Sequence, residues 1–531
     1  MKKYILLFLT GLFISVNTFP QTVGITDFMR LNPYSGSNNP AYFMPYNGYV
    51  GIPGASNINF SLLNTSFIYK NFIKLNDDGT PEKFTPNKFV NSLHPTSNWF
   101  NTNLNMELLG FGFRVKKCFF SFNYRLKMDQ QFRYSRDLFG FLLQGNLAQD
   151  KEGNYIYKSA TLEIEPNITV YQEMSLGFQT QIFDWLYIGA RPKILFGLAN
   201  INPKLSATIN TDPEDYTIFG THNVDINVAS IIPFYKKDAD GNISLNSDAL
   251  SDIGNDIPGL VKSCFSKNLG FAIDLGAVYR LNQQVRFSAS VTDLGFIRWK
   301  GKGALLNIAS NPNANSFKFE GFNEDQITNL INNGIDFNLD TIFNVVSNNF
   351  SLNELNSYST MLTSKVMLDG YFDLTPSNRF ILQFKGYIMG KNFLPQFTVA
   401  YNGSFFRVFD IVLSYSMMRN SFANLGVGLG IRIGPLHLYA GTDNILAAVN
   451  VLNATKINVT TGLLINFPVT AKVKEPELKS LFKKREGTEE AAPVAEKEPK
   501  VKEPKQPKEP KVKEPKQPKE KQAKETTGSA E

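Results

Sequence analysis

Residues 269–299 read LGFAIDLGAVYRLNQQVRFSASVTDLGFIRW. Leu269, Phe271, Ile273, Leu275, Ala277 and Tyr279 alternate with Gly270, Ala272, Asp274, Gly276, Val278 and Arg280. Residues 281–284 turn the chain. Val285, Phe287, Ala289 and Val291 then alternate with Arg286, Ser288, Ser290 and Thr292. A strand sends successive side chains to opposite faces, so this is a hairpin with one apolar face and one small or polar face. Two solvents suit it: a soluble sheet with a core on one side, or a barrel wall with lipid outside and a polar lumen inside.

The pattern recurs along the chain. Leu109, Phe111 and Phe113 alternate with Gly110, Gly112 and Arg114, and after Lys116-Lys117 comes a second strand through Phe120 to Asp129. Leu176–Ile182, Leu186–Phe196, Ile411–Met417, Leu425–Ile433 and Ile457–Phe467 repeat it. Pro192 marks a bulge or local opening in its strand. The strands run about 9–13 residues, the length a tilted strand needs to cross a bilayer. Short turns (116–117, 184–185, 281–284, 375–378, 404–407, 434–435) alternate with longer links (135–172, 198–268, 300–363, 391–395, 419–423, 444–455). Counting back from Phe467, every short turn falls at the end that holds the C-terminus of the last strand, as in outer-membrane barrels. The expected fold is all-β: a transmembrane antiparallel barrel of about 14 strands, or 16 if 203–211 and 221–231 form a further pair. Helical pieces are expected near 247–253 and 324–331.

Met1-Lys2-Lys3 followed by the apolar residues 4–16 reads as a signal peptide over 1–21, too short to span a membrane. Charged residues make up 19% of the chain, against about 25% in soluble proteins. Residues 468–531 hold 17 basic and 13 acidic residues. Setting these and Lys2 and Lys3 aside leaves 35 basic and 34 acidic residues (54−17−2 and 47−13), so no basic field argues for nucleic acid. The tail repeats KEPKVKEPKQP at 497–507 and 508–518 and cannot bury a core. Read as a disordered periplasmic segment, it offers residues 497–521 to a periplasmic partner or peptidoglycan.

Asn39-Pro40-Ala41, the Gly-x-Ala-x-Asp-Leu-Gly stretch at 270–276 and Ser-Val-Thr-Asp-Leu-Gly at 290–295 resemble outer-membrane barrels of the long-chain fatty acid transporter class. More closely, they resemble an uncharacterised branch near the type IX secretion barrel subunits. The resemblance implies an N-terminal plug (22–55) carrying Asn39, Pro40 and Ala41, a barrel over 56–467, and hydrophobic ligands or protein partners. It also implies that Phe467 is the terminal aromatic used in barrel assembly. The expected place is the outer membrane, with lipid around the wall. The expected work is uptake or binding of hydrophobic small molecules through a plugged lumen. The alternative is a non-transporting subunit of a surface or secretion assembly, tethered by its basic tail.

The parity assigns Arg114, Arg125, Lys127, Asp129, Arg191, Lys193, Asp274, Arg280, Arg286 and Arg432 to the lumen. They read as a salt-bridged, plugged interior that holds the barrel together, or as a polar pathway or carboxylate-binding pocket. His94, His222 and His437 are far apart, and no phosphate loop, catalytic triad or cofactor motif is readable, so neither an enzyme nor a cofactor is expected. Cys118 and Cys264 fall at opposite ends of strands about 30 Å long, whereas a disulfide needs a Cα separation of roughly 4–7 Å. Trp185, Trp299, Tyr187, Tyr279 and Tyr387 lie near strand ends, where aromatic girdles belong.

Overall fold

A computed structural model describes residues 24–467, except parts of 65–80, 96–97, 145–158, 213–216, 247–255, 312–314, 320–349 and 450–454 and the junctions 390–391, 407 and 419–420. The expected signal peptide, the tail and the helical pieces near 247–253 and 324–331 lie outside the described residues.

Fourteen antiparallel strands close into a barrel. β1 comes in two segments, Gly48–Gly51 and Ile58–Asn64. Then follow β2 (Asn98–Val115), β3 (Cys118–Tyr134), β4 (Ala160–Phe183), β5 (Leu186–Thr211), β6 (Leu269–Arg280) and β7 (Val285–Lys300). The second half is β8 (Ser364–Thr375), β9 (Asn378–Met389), β10 (Asn392–Phe405), β11 (Phe409–Met418), β12 (Ser421–Ile433), β13 (Leu436–Thr442) and β14 (Lys456–Phe467). Each strand pairs with its neighbour, and β14 closes on β1 with Gly48 opposite Phe467 and Ile58 opposite Thr461. Closure leaves the wall no open edge, which a strand surrounded by lipid requires.

The apolar parity faces outward. Phe271, Leu275, Phe287, Leu382, Leu413 and Leu429 are exposed, while Asp274, Arg280, Gln383 and Ser414 are buried within. An exposed apolar belt around a closed, polar-filled barrel is the surface of a transmembrane barrel. Among the described residues, no helix is long and apolar enough to span a membrane.

The outer ends differ from the sequence expectation. β4 and β5 run 24 and 26 residues, far longer than a bilayer needs. Only Leu186–Phe196 of β5 pairs with wall strand β6; Ala199–Thr211 pairs with a separate strand, Ile218–Ser230, beyond the wall. The pair that would have made 16 strands is therefore a sheet standing on the long-loop end. The links expected at 391–395 and 419–423 also shrink, because β10 begins at Asn392 and β12 at Ser421. At Pro192 the ladder to β4 skips Arg191 and Pro192 without a change of register, so of the two expected features the strand shows the local opening and not the bulge.

The bulge lies in the opening hairpin instead. Leu275 pairs with Val291 and Ile273 with Leu294, so Thr292 and Asp293 together face Asp274. Asp293 takes φ 57°, and both it and Thr292 turn inward and are buried. The extra residue reverses the parity beyond it, as a bulge must. Phe296 therefore faces out, and Trp299 is fully buried inside. Of the five aromatics expected in girdles, only Trp185 and Tyr279 face outward, packed edge to face at 5.7 Å beside Phe183. Tyr187 and Tyr387 share the inward faces of Gly189 and Lys385 and are buried.

Candidate functional site

Residues 24–47 fill the lumen near the short-turn end. Two single turns, Ile25–Phe28 and Pro33–Gly36, are buried throughout. Asn32 caps the second, its Oδ1 accepting from the Tyr34 N–H at 2.9 Å. Ile25, Phe28, Met29 and Tyr34 pack against Phe119, Ile381, Val412, Tyr439 and Leu464 of the wall.

Glycines on the wall let this plug approach. A Cβ on Gly189 would stand 2.3 Å from the Pro40 carbonyl carbon and 2.6 Å from the Ala41 nitrogen; one on Gly276 would stand 2.1 Å from Asn39 Oδ1. Asn39, Pro40 and Ala41 thus lie directly on the backbones of β5 and β6. Asn39 Oδ1 accepts from the Ala41 N–H at 2.9 Å, which fixes a tight turn there. Opposite, Gly428 and Gly441 leave room for Met29 and Ile25.

Polar clamps hold the plug's backbone. Arg191 donates to the Gly36 carbonyl at 3.0 Å and the Ser37 carbonyl at 2.7 Å, and Ser290 Oγ donates to the Asn38 carbonyl at 2.8 Å. Arg114 donates to the carbonyls of Met44 and Tyr46. Arg432 donates to Tyr46 Oη at 2.9 Å. Asp27 meets Lys385 at 3.2 Å, and Tyr34 Oη donates to Glu107. Arg280 donates to the Asp184 carbonyl and Arg286 to Asp373, both at the short-turn end.

Above the plug, seven consecutive strands each contribute to one charge network. Arg125 meets Glu107 at 3.2 Å and Glu173 at 3.5 Å; Lys127 meets Glu173 at 2.6 Å. Lys193 is the hub, at 2.7 Å from Asp274, 2.6 Å from Asp293 and 3.5 Å from Glu173. Arg191 meets Asp274 at 3.2 Å and Lys365 meets Asp293 at 3.0 Å. Five cations thus serve four carboxylates, near balance, and burial makes each pairing costly to break. A cavity of about 150 Å³ lies against this network, lined also by Asn103, Asn105, Asp129 and Tyr171. Its chemistry is polar and charged. An apolar layer of Tyr171, Leu195, Ile297, Trp299, Leu305 and Leu362 lies nearer the long loops.

The sequence placed Arg125, Arg191, Lys193 and Asp274 in the lumen, and the structure joins them. It did not single out Glu107, Glu173, Asp293, Lys365 or Lys385. Glu107 and Asp293 sit at bulges, where parity fails, and Glu173 falls between the link read at 135–172 and the alternation read from Leu176. His437 is buried with Nδ1 3.3 Å from Asn466, and His222 Nδ1 lies 2.6 Å from Ser310 Oγ. Among the described residues no group of three or more His, Cys, Asp and Glu could hold a metal ion. Cys118 and Cys264 are not bonded to each other. Phe467 ends β14 with its ring exposed beside the Gly48 pairing.

A family of unknown function, DUF5723, matches residues 40–443. No curated protein matches. Similar solved structures include a Pseudomonas aeruginosa FadL homologue (9% identity, 85% of this chain and 100% of that one, TM-score 0.37). The Ralstonia pickettii toluene transporter TbuX follows at 8% identity, 83% and 97% coverage and TM-score 0.37. The Pseudomonas putida toluene transporter TodX has 8% identity, 85% and 98% coverage and TM-score 0.34. The barrel itself rests on this chain's own strand pairing, not on these likenesses.

Proposed function

The chain belongs to the DUF5723 family of unknown function, and we propose that it is an outer-membrane channel, stoppered by residues 24–47, that takes up small hydrophobic molecules. The observation that carries this reading is the plug itself. The ladder begins at Asn47, whose backbone pairs with Phe467 and Arg114. The segment before it, 24–46, is seated in a glycine-lined wall and held by side-chain hydrogen bonds, so it can move without breaking the ladder. The apolar layer around Trp299 lies ahead of the polar cavity and suits a solute with an apolar body. The short-turn end, where Phe467 finishes the last strand, is on this reading periplasmic, and the tail beyond it lies in the periplasm. The alternative of a non-transporting assembly subunit, kin to secretion barrels, rests on the tail alone.

The test is uptake of a hydrophobic fluorescent probe by cells carrying the full chain, a version lacking 24–47, or neither. The expected order is plug deletion above full chain above none. Equal uptake in all three, with the barrel shown to be assembled by heat-modifiable gel mobility, would sink the transport reading. Removing residues 468–531 tests the alternative: partners lost from the purified barrel with uptake unchanged would assign the tail a separate tethering role.

A further inference from the structure

Below the plug, at the short-turn mouth, three guanidinium groups converge on one carboxylate. Arg379 grips Asp373 with two bonds, 2.6 Å from Nε and 3.0 Å from Nη2. Arg286 Nη2 reaches it at 2.9 Å. Arg30, carried by the plug, stands off at 3.9 Å and donates instead to the Pro376 carbonyl at 2.7 Å. The three arginines edge a cavity of about 70 Å³ whose other walls are Tyr42, Phe43, Pro45, Val278 and Tyr371; Tyr42 Oη accepts from Arg379 Nη1 at 3.0 Å.

Among the described residues one carboxylate stands among three guanidiniums, so positive charge is in excess in a cleft with aromatic and aliphatic walls, and Arg30 is the cation held at arm's length from it. Low-dielectric walls focus such a field on any anion that enters. The planar fork of a guanidinium matches a carboxylate in two bonds. Arg30 is the loosest of the three and the most exposed, with 28% of its side chain open to solvent. It is the group most able to turn toward a new anion.

We infer that this cleft binds a small carboxylate with an apolar or aromatic body, the carboxylate taken by Arg30 and Arg286 and the body lying against Phe43 and Val278. Half of the site belongs to the plug and half to the wall, so an occupant holds the plug seated. The inference goes beyond the transport reading and does not rest on it, because binding is measured on the purified barrel without any flux.

The experiment is calorimetric titration of the full-length protein in detergent with benzoate, benzyl alcohol and inorganic phosphate. Benzoate should bind, and the neutral alcohol and the body-less phosphate should bind at least tenfold more weakly. Arg30→Gln should weaken benzoate by about 10- to 100-fold, the worth of a hydrogen bond to a charged group, and Arg30→Lys should restore part of it. Heat-modifiable mobility confirms that each variant is folded. Absence of benzoate binding to the unmodified chain, equal binding of benzyl alcohol or phosphate, or unchanged benzoate affinity in Arg30→Gln would each overturn the assignment.

Discussion

Gly189→Ala is the sharpest perturbation of the plug. The new Cβ would stand 2.3 Å from both the carbon and the oxygen of the Pro40 carbonyl, which are backbone atoms that cannot rotate away. Restoring an ordinary contact of about 3.5 Å requires the plug to retreat by about 1.2 Å. The Arg191 bonds to Gly36 and Ser37, now 3.0 and 2.7 Å, would stretch by a comparable amount and weaken. Overpacking costs about 1–3 kcal/mol and each charge-assisted bond about 1.5–3 kcal/mol, partly recovered by water, so a net loosening of about 2–4 kcal/mol is expected. Hydrogen exchange of the amides in 36–42 reads this directly: exchange should quicken by about 30- to 1,000-fold, since 1.4 kcal/mol is tenfold. Conductance in planar bilayers should rise in parallel. Gly370→Ala is the control, because its Cβ would meet nothing nearer than 3.9 Å. Unchanged exchange over 36–42 in Gly189→Ala would refute the argument that close approach to the β5 backbone seats the plug.

Further expectations follow from the wall and the network. Lys193→Met takes the shared hub from Glu173, Asp274 and Asp293, which keep only their flanking partners Arg125, Lys127, Arg191 and Lys365. It should destabilise the barrel by about 3 kcal/mol, read as a lower temperature for the shift in gel mobility. Leu275→Arg puts a charge on the lipid face in the middle of β6, costing about 2–4 kcal/mol; refolding into lipid vesicles should fail at denaturant concentrations that the parent tolerates. Brominated lipids should quench Trp185, which is 37% exposed, and leave Trp99 and Trp299, at 5% and 0%, bright. Trp185→Phe should therefore abolish the quenching, and a persistent quench would mean that Trp99 or Trp299 faces lipid.

Much of the wall was legible because its signal is local. Alternation in 269–291 needs only neighbouring residues, and it places Phe271 and Asp274 on opposite faces whatever the strand pairs with. Parity failed where a residue was added. The doubled Thr292-Asp293 position carries no motif that announces an inward pair, yet it moves Trp299 from the expected girdle to the interior. Of the strand ends beyond the bilayer, 160–172 escaped, having lost clean alternation, while 203–211 was read as pairing with 221–231 but not as the continuation of β5 beyond the wall.

The amino-acid order alone determined a closed polar-lined wall with short turns at one end, since a two-residue period and a hydrophobic face follow from strand geometry and solvent. It also determined that Arg191, Lys193 and Asp274 look inward. Only the tertiary structure decided what they meet. Lys193 and Asp293 lie 100 residues apart and touch because β5, β6 and β7 are adjacent staves of one barrel. Asn39-Pro40-Ala41 finds Gly189 and Gly276 for the same reason. Barrel closure brings distant residues together across a lumen a few side chains wide, and no local pattern encodes which of them will share it.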